Sequence, residues 1–186
     1  MLNLQPNNRF KEKIEKKANI ARSSRRKGRS AESEVGRILS YWYGVPESFS
    51  PSRSSGANLK IGQPGDILAP NGFKFVIEVK NTEGWNLTQI FQPLNCHAKL
   101  VTFWKFWKQA KEACDEYNKK KPTSLPIKYP VLIFTRNREE FFIMYEIKHC
   151  ATKCRNRILI QFINEDLMIC QLSDFLDNAP INELFV

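Results

Sequence analysis

Gly65-Asp66-Ile67-Leu68-Ala69-Pro70-Asn71-Gly72-Phe73-Lys74-Phe75-Val76-Ile77-Glu78-Val79-Lys80 is the stretch on which the fold turns. Asp66 to Ala69 and Phe73 to Lys80 are apolar, β-prone runs on either side of Pro70-Asn71-Gly72. Proline sets φ and Asn-Gly accepts positive φ, so the segment is expected to fold as a hairpin. Side chains alternate along a strand, which puts Phe75, Ile77 and Val79 on one face and Val76, Glu78 and Lys80 on the other. Closing the hairpin carries Asp66 to the far end of the longer strand, within reach of Glu78 and Lys80. Two carboxylates, a backbone carbonyl such as that of Val79 and several waters make a hard-oxygen donor set suited to Mg²⁺ or Mn²⁺. A lysine beside them can orient or help deprotonate a water. Taken alone, Glu-x-Lys on one strand face is also an ordinary solvated ion pair worth little, so the rest of the chain has to decide.

The chain has 186 residues, enough for one domain with a real core, and 29 Lys and Arg against 19 Asp and Glu, a net charge of +10. Between Arg9 and Arg29 there are ten basic residues and only Glu12 and Glu15 against them, so nearly the whole surplus lies in one N-terminal segment. Such an arm attracts a polyanion, with counterion release driving association; nucleic acid is the expected partner ahead of a solubilising tail or an anionic membrane. No run of 18 apolar residues occurs, and the N-terminus lacks the apolar stretch of a signal peptide, so neither a membrane span nor export is expected and the cytoplasm is the expected location. The five cysteines, Cys96, Cys114, Cys150, Cys154 and Cys170, are odd in number and irregularly spaced, as buried thiols would be; His149, Cys150, Cys154 and Cys170 form a remote zinc alternative without paired C-x2-C knuckles.

Residues 1–26 hold few large apolar groups and are expected to be a flexible or partly helical basic arm, followed by a folded domain over residues 27–186. Ala31, Val35, Ile38, Leu39 and Trp42 recur at helical spacing and end at Gly44-Val45-Pro46, the first helix. A Gly-, Ser- and Pro-rich loop from Phe49 to Gly65 then leads to the hairpin. Leu100, Phe103, Trp107, Ala110, Cys114 and Tyr117, spaced by 3, 4, 3, 4 and 3, mark a long helix closed by Lys119-Lys120-Lys121-Pro122. Trp104 and Phe106 fall partly off its stripe; cover by the segment at residues 82–97 is the simpler expectation, base stacking or a dimer contact the sharper one. Tyr129 to Thr135 with Phe141 to Ile147, and Arg157 to Ile163 with Leu167 to Gln171, are expected strand pairs, and Ser173-Asp174-Phe175-Leu176 a short helix with a serine cap. The order defines an α/β fold with the carboxylates near its middle.

Four short motifs now stand in order: Lys27-Gly28-Arg29-Ser30-Ala31-Glu32-Ser33-Glu34 opening a helix, Arg53-Ser54-Ser55-Gly56, Gly65-Asp66, and Glu78-Val79-Lys80. In order and spacing they resemble the Holliday-junction resolvases of the archaeal Hjc type within the PD-(D/E)xK nuclease superfamily, whose logic phage and RecU-like resolvases share. The resemblance covers roughly residues 27–135. It implies a restriction-endonuclease-like core, a central mixed β-sheet flanked by helices, with a core of about residues 27–148 and a C-terminal extension of about 149–186. It further implies Glu32, Asp66 and Glu78 as acids of a Mg²⁺ site (Mn²⁺ substituting) with the Val79 carbonyl, Lys80 as catalytic lysine, and Ser55 beside the scissile phosphate. Arg25, Arg26, Lys27, Arg29, Arg53 and Lys60 are the expected DNA contacts.

Helical periodicity alone leaves Glu32 and Glu34 open, each at a flank of the apolar stripe; the resemblance selects Glu32. Gly65 stands where the superfamily's name puts a proline. The implied activity is a metal-dependent endodeoxyribonuclease acting on four-way junctions as a homodimer, in a nucleoid or a phage-infected cell. Its rivals are a nuclease of the same fold acting on linear duplex or repair intermediates, and a noncatalytic nucleic-acid-binding protein, an RNA-binding one included.

Overall fold

The computed structural model describes residues 8–52, 65–83, 85, 89, 102–136 and 139–185. Helix α1 (Asn8–Tyr43) leads to strand β1 (Ser50–Pro51), β2 (Ile67–Leu68) and β3 (Phe75–Asn81). Helix α2 (Thr102–Lys120) follows, then β4 (Tyr129–Thr135), β5 (Phe142–Glu146), β6 (Arg157–Phe162), β7 (Glu165–Gln171) and helix α3 (Leu172–Asn178). The strands form one mixed sheet in the order β1-β2-β3-β4-β5-β7-β6. Only β3 and β4 run parallel, with Phe75 opposite Tyr129 and Asn81 opposite Thr135, and α2 is the crossover between them.

The expected hairpin is present: β2 and β3 are antiparallel with Ile67 opposite Ile77, and the Phe73 N–H closes the turn on the Pro70 carbonyl at 3.1 Å. Alternation along β3 works as anticipated. Phe75, Ile77 and Val79 enter a core with Ala31, Val35 and Leu39 of α1 and Phe175 and Leu176 of α3, so α1 and α3 cover one face of the sheet. Phe103, Trp104, Trp107 and Ala110 of α2 pack on Leu132, Phe134, Met144, Leu167 and Ile169 on the other. The Trp42 indole N–H reaches the Leu176 carbonyl at 2.9 Å and ties α1 to α3.

The basic N-terminal segment, expected to be flexible or partly helical, is helical from Asn8 and continuous with the first helix, which runs 36 residues. Its Lys-, Arg- and Glu-rich composition supports a helix by propensity, without the apolar stripe that marks a buried one. Two expectations change. Beyond residue 148 the chain is not an appendage, since β7 inserts between β5 and β6 and pairs with both, Tyr145 opposite Met168 and Leu159 opposite Met168 from the other side. Finally, Ser173 does not cap α3. The helix starts directly from β7, with Gln171 at the cap position making no side-chain bond, because the Leu172 N–H is already held by the Phe141 carbonyl at 2.8 Å.

Candidate active site

Asp66 is held from both sides by β3. Its N–H donates to the Ile77 carbonyl at 2.8 Å, and the Val79 N–H donates to its Oδ2 at 2.9 Å, so main chain and side chain are both fixed. Its own carbonyl accepts from the Ser52 N–H at 2.8 Å, which anchors the strand β1 leads into. Gly65 makes this approach possible. Its φ is +78°, and a Cβ there would stand 2.4 Å from the Ile77 carbonyl oxygen. The position therefore requires glycine, and a proline, with φ near −65°, has no place in this backbone.

Glu78 and Lys80 share the face that alternation assigns them. Lys80 Nζ lies 2.5 Å from Glu78 Oε1, with the two side chains 25% and 13% exposed respectively. Burial pushes the Glu78 carboxyl above its ordinary pKa, and the neighbouring Asp66 charge pushes further, against the opposing pull of Lys80. Glu32, 9% exposed on α1, is raised in the same way: burial first, then the charges of Asp66 and Glu78, with Lys80 and Arg29 opposing. Glu32, Asp66 and Glu78 thus burden one another with negative charge that a single lysine does not cancel. That excess beside β3, made of hard oxygen donors, fits a divalent cation. Among the described residues no three acidic, imidazole or thiol groups already surround a common point. The close pair is Asp66 and Glu78, near enough for the Asp66 charge to push up the Glu78 carboxyl, and Glu32 on α1 is within reach of both charges.

The structure thus separates Glu32 from Glu34. Glu34 is exposed and opens onto a different cleft of about 720 Å³ shared with Glu139 and Glu140. Arg25, Arg26, Lys27 and Arg29 are exposed on α1, and Lys27 pairs with Glu83 at 3.1 Å. Arg53, Ser55 and Lys60 lie outside the described residues. Trp104 is not free to stack on a base. It is 2% exposed, its ring lies flat on Phe162 of β6 at 4.1 Å, and Phe106 packs against the same cluster. Its cover includes the C-terminal hairpin, which periodicity within one helix cannot reveal. Among the described residues Cys114, Cys150, Cys154 and Cys170 are buried, with Cys154 and Cys170 3.0 Å apart and Cys150 meeting Thr152 at 2.8 Å; Cys96 lies outside the described residues. His149 instead stacks on Tyr129 at 3.5 Å. The demand for glycine at residue 65 was the functional signal missed in the sequence; its trace is a glycine directly before the first acid at a hairpin's entry.

A mixed sheet whose short antiparallel hairpin brings an aspartate to a Glu-x-Lys strand, with an acid supplied by the first helix, defines a restriction-endonuclease-like nuclease of the PD-(D/E)xK class. The family model described as "Phage putative PDDEXK endonuclease" matches residues 23–185. The chain belongs to that phage PDDEXK endonuclease family, and the match takes in the C-terminal strands and α3, for which the resolvase resemblance has no counterpart. No curated protein matches the chain. Among solved structures it is similar to Hjc of Archaeoglobus fulgidus, a Holliday junction resolvase from an archaeal hyperthermophile, at 14% identity over 81% of this chain and 95% of that one, with a TM-score of 0.30. Among the described residues no helix is long and apolar enough to cross a membrane.

Proposed function

We propose that this endonuclease is a divalent-metal-dependent endodeoxyribonuclease that cuts branched DNA, resolving four-way junctions by paired nicks as a homodimer in the cytoplasm. The observation that carries the catalytic part is the pairing of Asp66 with Glu78 and Lys80 on β3, with the buried Glu32 of α1 within electrostatic reach of all three. Asp66 and Glu78 would hold Mg²⁺, or Mn²⁺ in its place, with the Val79 carbonyl and with Glu32 as the third acid. When bound, the ion offsets phosphate charge and favours deprotonation of water.

The chain's own groups do the rest. The two hydrogen bonds from β3 fix Asp66 in one orientation before substrate arrives, so no freezing cost falls on the reaction. Glu78 holds Lys80 Nζ, which in turn can hold the attacking water or take part in its deprotonation. Burial of the carboxyls strengthens every charge interaction within the site. Ser55, Arg53 and Lys60, in the stretch of sequence between Ser52 and Gly65 that lies outside the described residues, are assigned to the phosphate backbone. Junction preference and the dimer are supported by the resemblance of the four motifs to junction resolvases.

Cleavage of a synthetic four-way junction, a nicked duplex and a linear duplex, each with Mg²⁺ or Mn²⁺, tests the reading. Asp66→Asn and Lys80→Ala are expected to abolish cutting while junction binding persists. Equal cutting of linear duplex defeats the junction claim. Binding without cleavage under either metal returns the protein to a noncatalytic nucleic-acid-binding role.

A further inference from the structure

Between β5 and β6 the chain is pinned on one side and basic on the other. Cys150, Thr152 and Cys154 are buried, the two cysteines in the core that α1 and α3 cover, while Ala151, Lys153 and Arg155 are exposed. The Cys150 thiol meets the Thr152 hydroxyl at 2.8 Å, Cys154 Sγ lies 3.0 Å from Cys170 Sγ, and the Asn156 N–H donates to Asp174 Oδ2 at 3.1 Å. Arg157, the first residue of β6, is exposed as well, and its guanidinium donates to the Cys154 carbonyl at 3.2 Å. Lys153, Arg155 and Arg157 thus occupy successive alternate positions on the outer side. Among the described residues Lys27, Lys80, Lys108, Lys111, Lys120 and Lys148 each pair with a carboxylate, whereas no ion pair engages these three. The acids of α3, the helix bonded to this stretch, are turned to other tasks. Asp174 spends Oδ2 on Asn156 and Oδ1 on the Asn178 amide at 3.0 Å, and Asp177 borders a cleft shared with Ser33 and Arg37 of α1. Strand register relates the three cations to the site. Arg157 lies opposite Cys170, Cys170 opposite Ile143, Ile143 opposite Ile133, and Ile133 opposite Val79, whose N–H holds Asp66. Arg157 and Val79 therefore stand in one row of the sheet, separated by four strand spacings or roughly 19 Å.

From this geometry we infer that Lys153, Arg155 and Arg157 form a second contact for the DNA backbone, at the β6 margin of the sheet and apart from the catalytic residues. This rests on the DNA-nuclease reading and adds a contact in the part of the chain to which the resolvase resemblance assigns none. Three unpaired cations on one exposed side attract phosphate, and because the backbone beneath them is already pinned, only their side chains are ordered on binding. Phosphate contacts carry no sequence information but fix register and orientation. A grip roughly 19 Å from the site, the axial length of about five or six base pairs, holds the substrate on the enzyme without touching the scissile phosphate.

The test measures binding of a DNA duplex and of a four-way junction against salt in the full chain, for wild type and for the triple variant Lys153→Gln, Arg155→Gln, Arg157→Gln. Each phosphate contact contributes about 0.9 to the slope of log K against log salt, so the variant should lower the slope by about 2.7, or about 500-fold in affinity at about 0.1 M salt relative to about 1 M. A control with the same charge change, Lys105→Gln, Lys108→Gln, Lys119→Gln on the exposed side of α2, should stay within about 0.5 of the wild-type slope. Should the triple variant melt below the assay temperature, Lys153→Gln with Arg155→Gln spares the Arg157 bond to Cys154 and should still lower the slope by about 1.8. At saturating DNA the folded variants should cut within about 2-fold of the wild-type rate, because the loss falls on KM and not on kcat. A wild-type slope in the Lys153/Arg155/Arg157 variants, or an equal loss in the α2 control, overturns the inference and leaves the nuclease reading standing. A wild type that neither binds nor cuts any DNA defeats the nuclease reading itself, and this inference with it.

Discussion

Gly65→Ala is the substitution whose cost can be worked most directly from the structure. The added Cβ would meet the Ile77 carbonyl oxygen at 2.4 Å with φ at +78°. A non-glycine residue in the left-handed region costs roughly 1–2 kcal/mol, partly offset by roughly 0.4–1 kcal/mol from a less flexible unfolded chain. Relief of the contact requires a retreat of about 1 Å to reach ordinary van der Waals separation, and that breaks the 2.8 Å hydrogen bond from Asp66 to Ile77, a further loss of about 1 kcal/mol. The expected total is about 1–3 kcal/mol by urea denaturation. Gly44 supplies the control. Its φ is +76° yet nothing lies within 4 Å of where its Cβ would be, so Gly44→Ala pays for conformation alone and should cost about 1 kcal/mol. The difference between the two isolates the close approach. Because the retreat displaces Asp66 by about 1 Å, cleavage by Gly65→Ala should fall about 100-fold even at saturating Mg²⁺ and full folding. Equal stability losses at the two glycines, with wild-type cleavage by Gly65→Ala, would refute the account of how Asp66 is positioned.

Trp104→Ala should destabilise by about 3–5 kcal/mol while leaving junction affinity unchanged where the protein is folded. Trp104→Phe should cost much less, since the buried indole N–H has no partner to lose; a specific loss of DNA binding in either variant would restore the base-stacking role. A chain ending at Lys148 lacks β6, β7 and α3 and bares the β5 edge, so it should show no cooperative melt and should elute as aggregate; a monomer with a sharp transition would contradict the sheet order. Glu32 and Glu78 have raised pKa values when folded, so the stability they contribute is fully present below the unfolded carboxyl pKa of about 4.3 and is lost as pH rises through the folded values. In metal-free buffer the melting temperature of wild type relative to Glu78→Gln should therefore fall from pH 4 to pH 8, and Mg²⁺ should reverse the trend. A flat difference would mean that the carboxylates do not burden one another.

What the amino-acid order discloses is whatever repeats locally. The Pro70-Asn71-Gly72 turn, the alternation of Phe75, Ile77 and Val79, and the stripe of Phe103, Trp107, Ala110 and Cys114 are each legible within a dozen residues, because burial on one face imposes a period of 2 or 3.6. The same rule explains the failures. Insertion of β7 between β5 and β6 leaves no local trace, since a central strand has the same pattern whichever neighbours it takes. Trp104 lies off the stripe of its own helix, yet Phe162, 58 residues later, seals it.

The acids themselves depended on both kinds of information. Asp66, Glu78 and Lys80 are gathered by a hairpin and could be placed by counting along two strands, whereas Glu32 arrives from a helix that the period left undecided between two glutamates. What separates them in the fold is burial and neighbourhood: Glu32 is buried on α1 and lies within reach of the charges of Asp66 and Glu78. Glu34, roughly 160° away around the helix, meets neither condition. The chain's +10 charge and its knot of carboxylates are therefore not in conflict. Positive charge on the exposed turns of α1 is separate from the acids further along, where burial and the charges of Asp66 and Glu78 push up the Glu32 carboxyl.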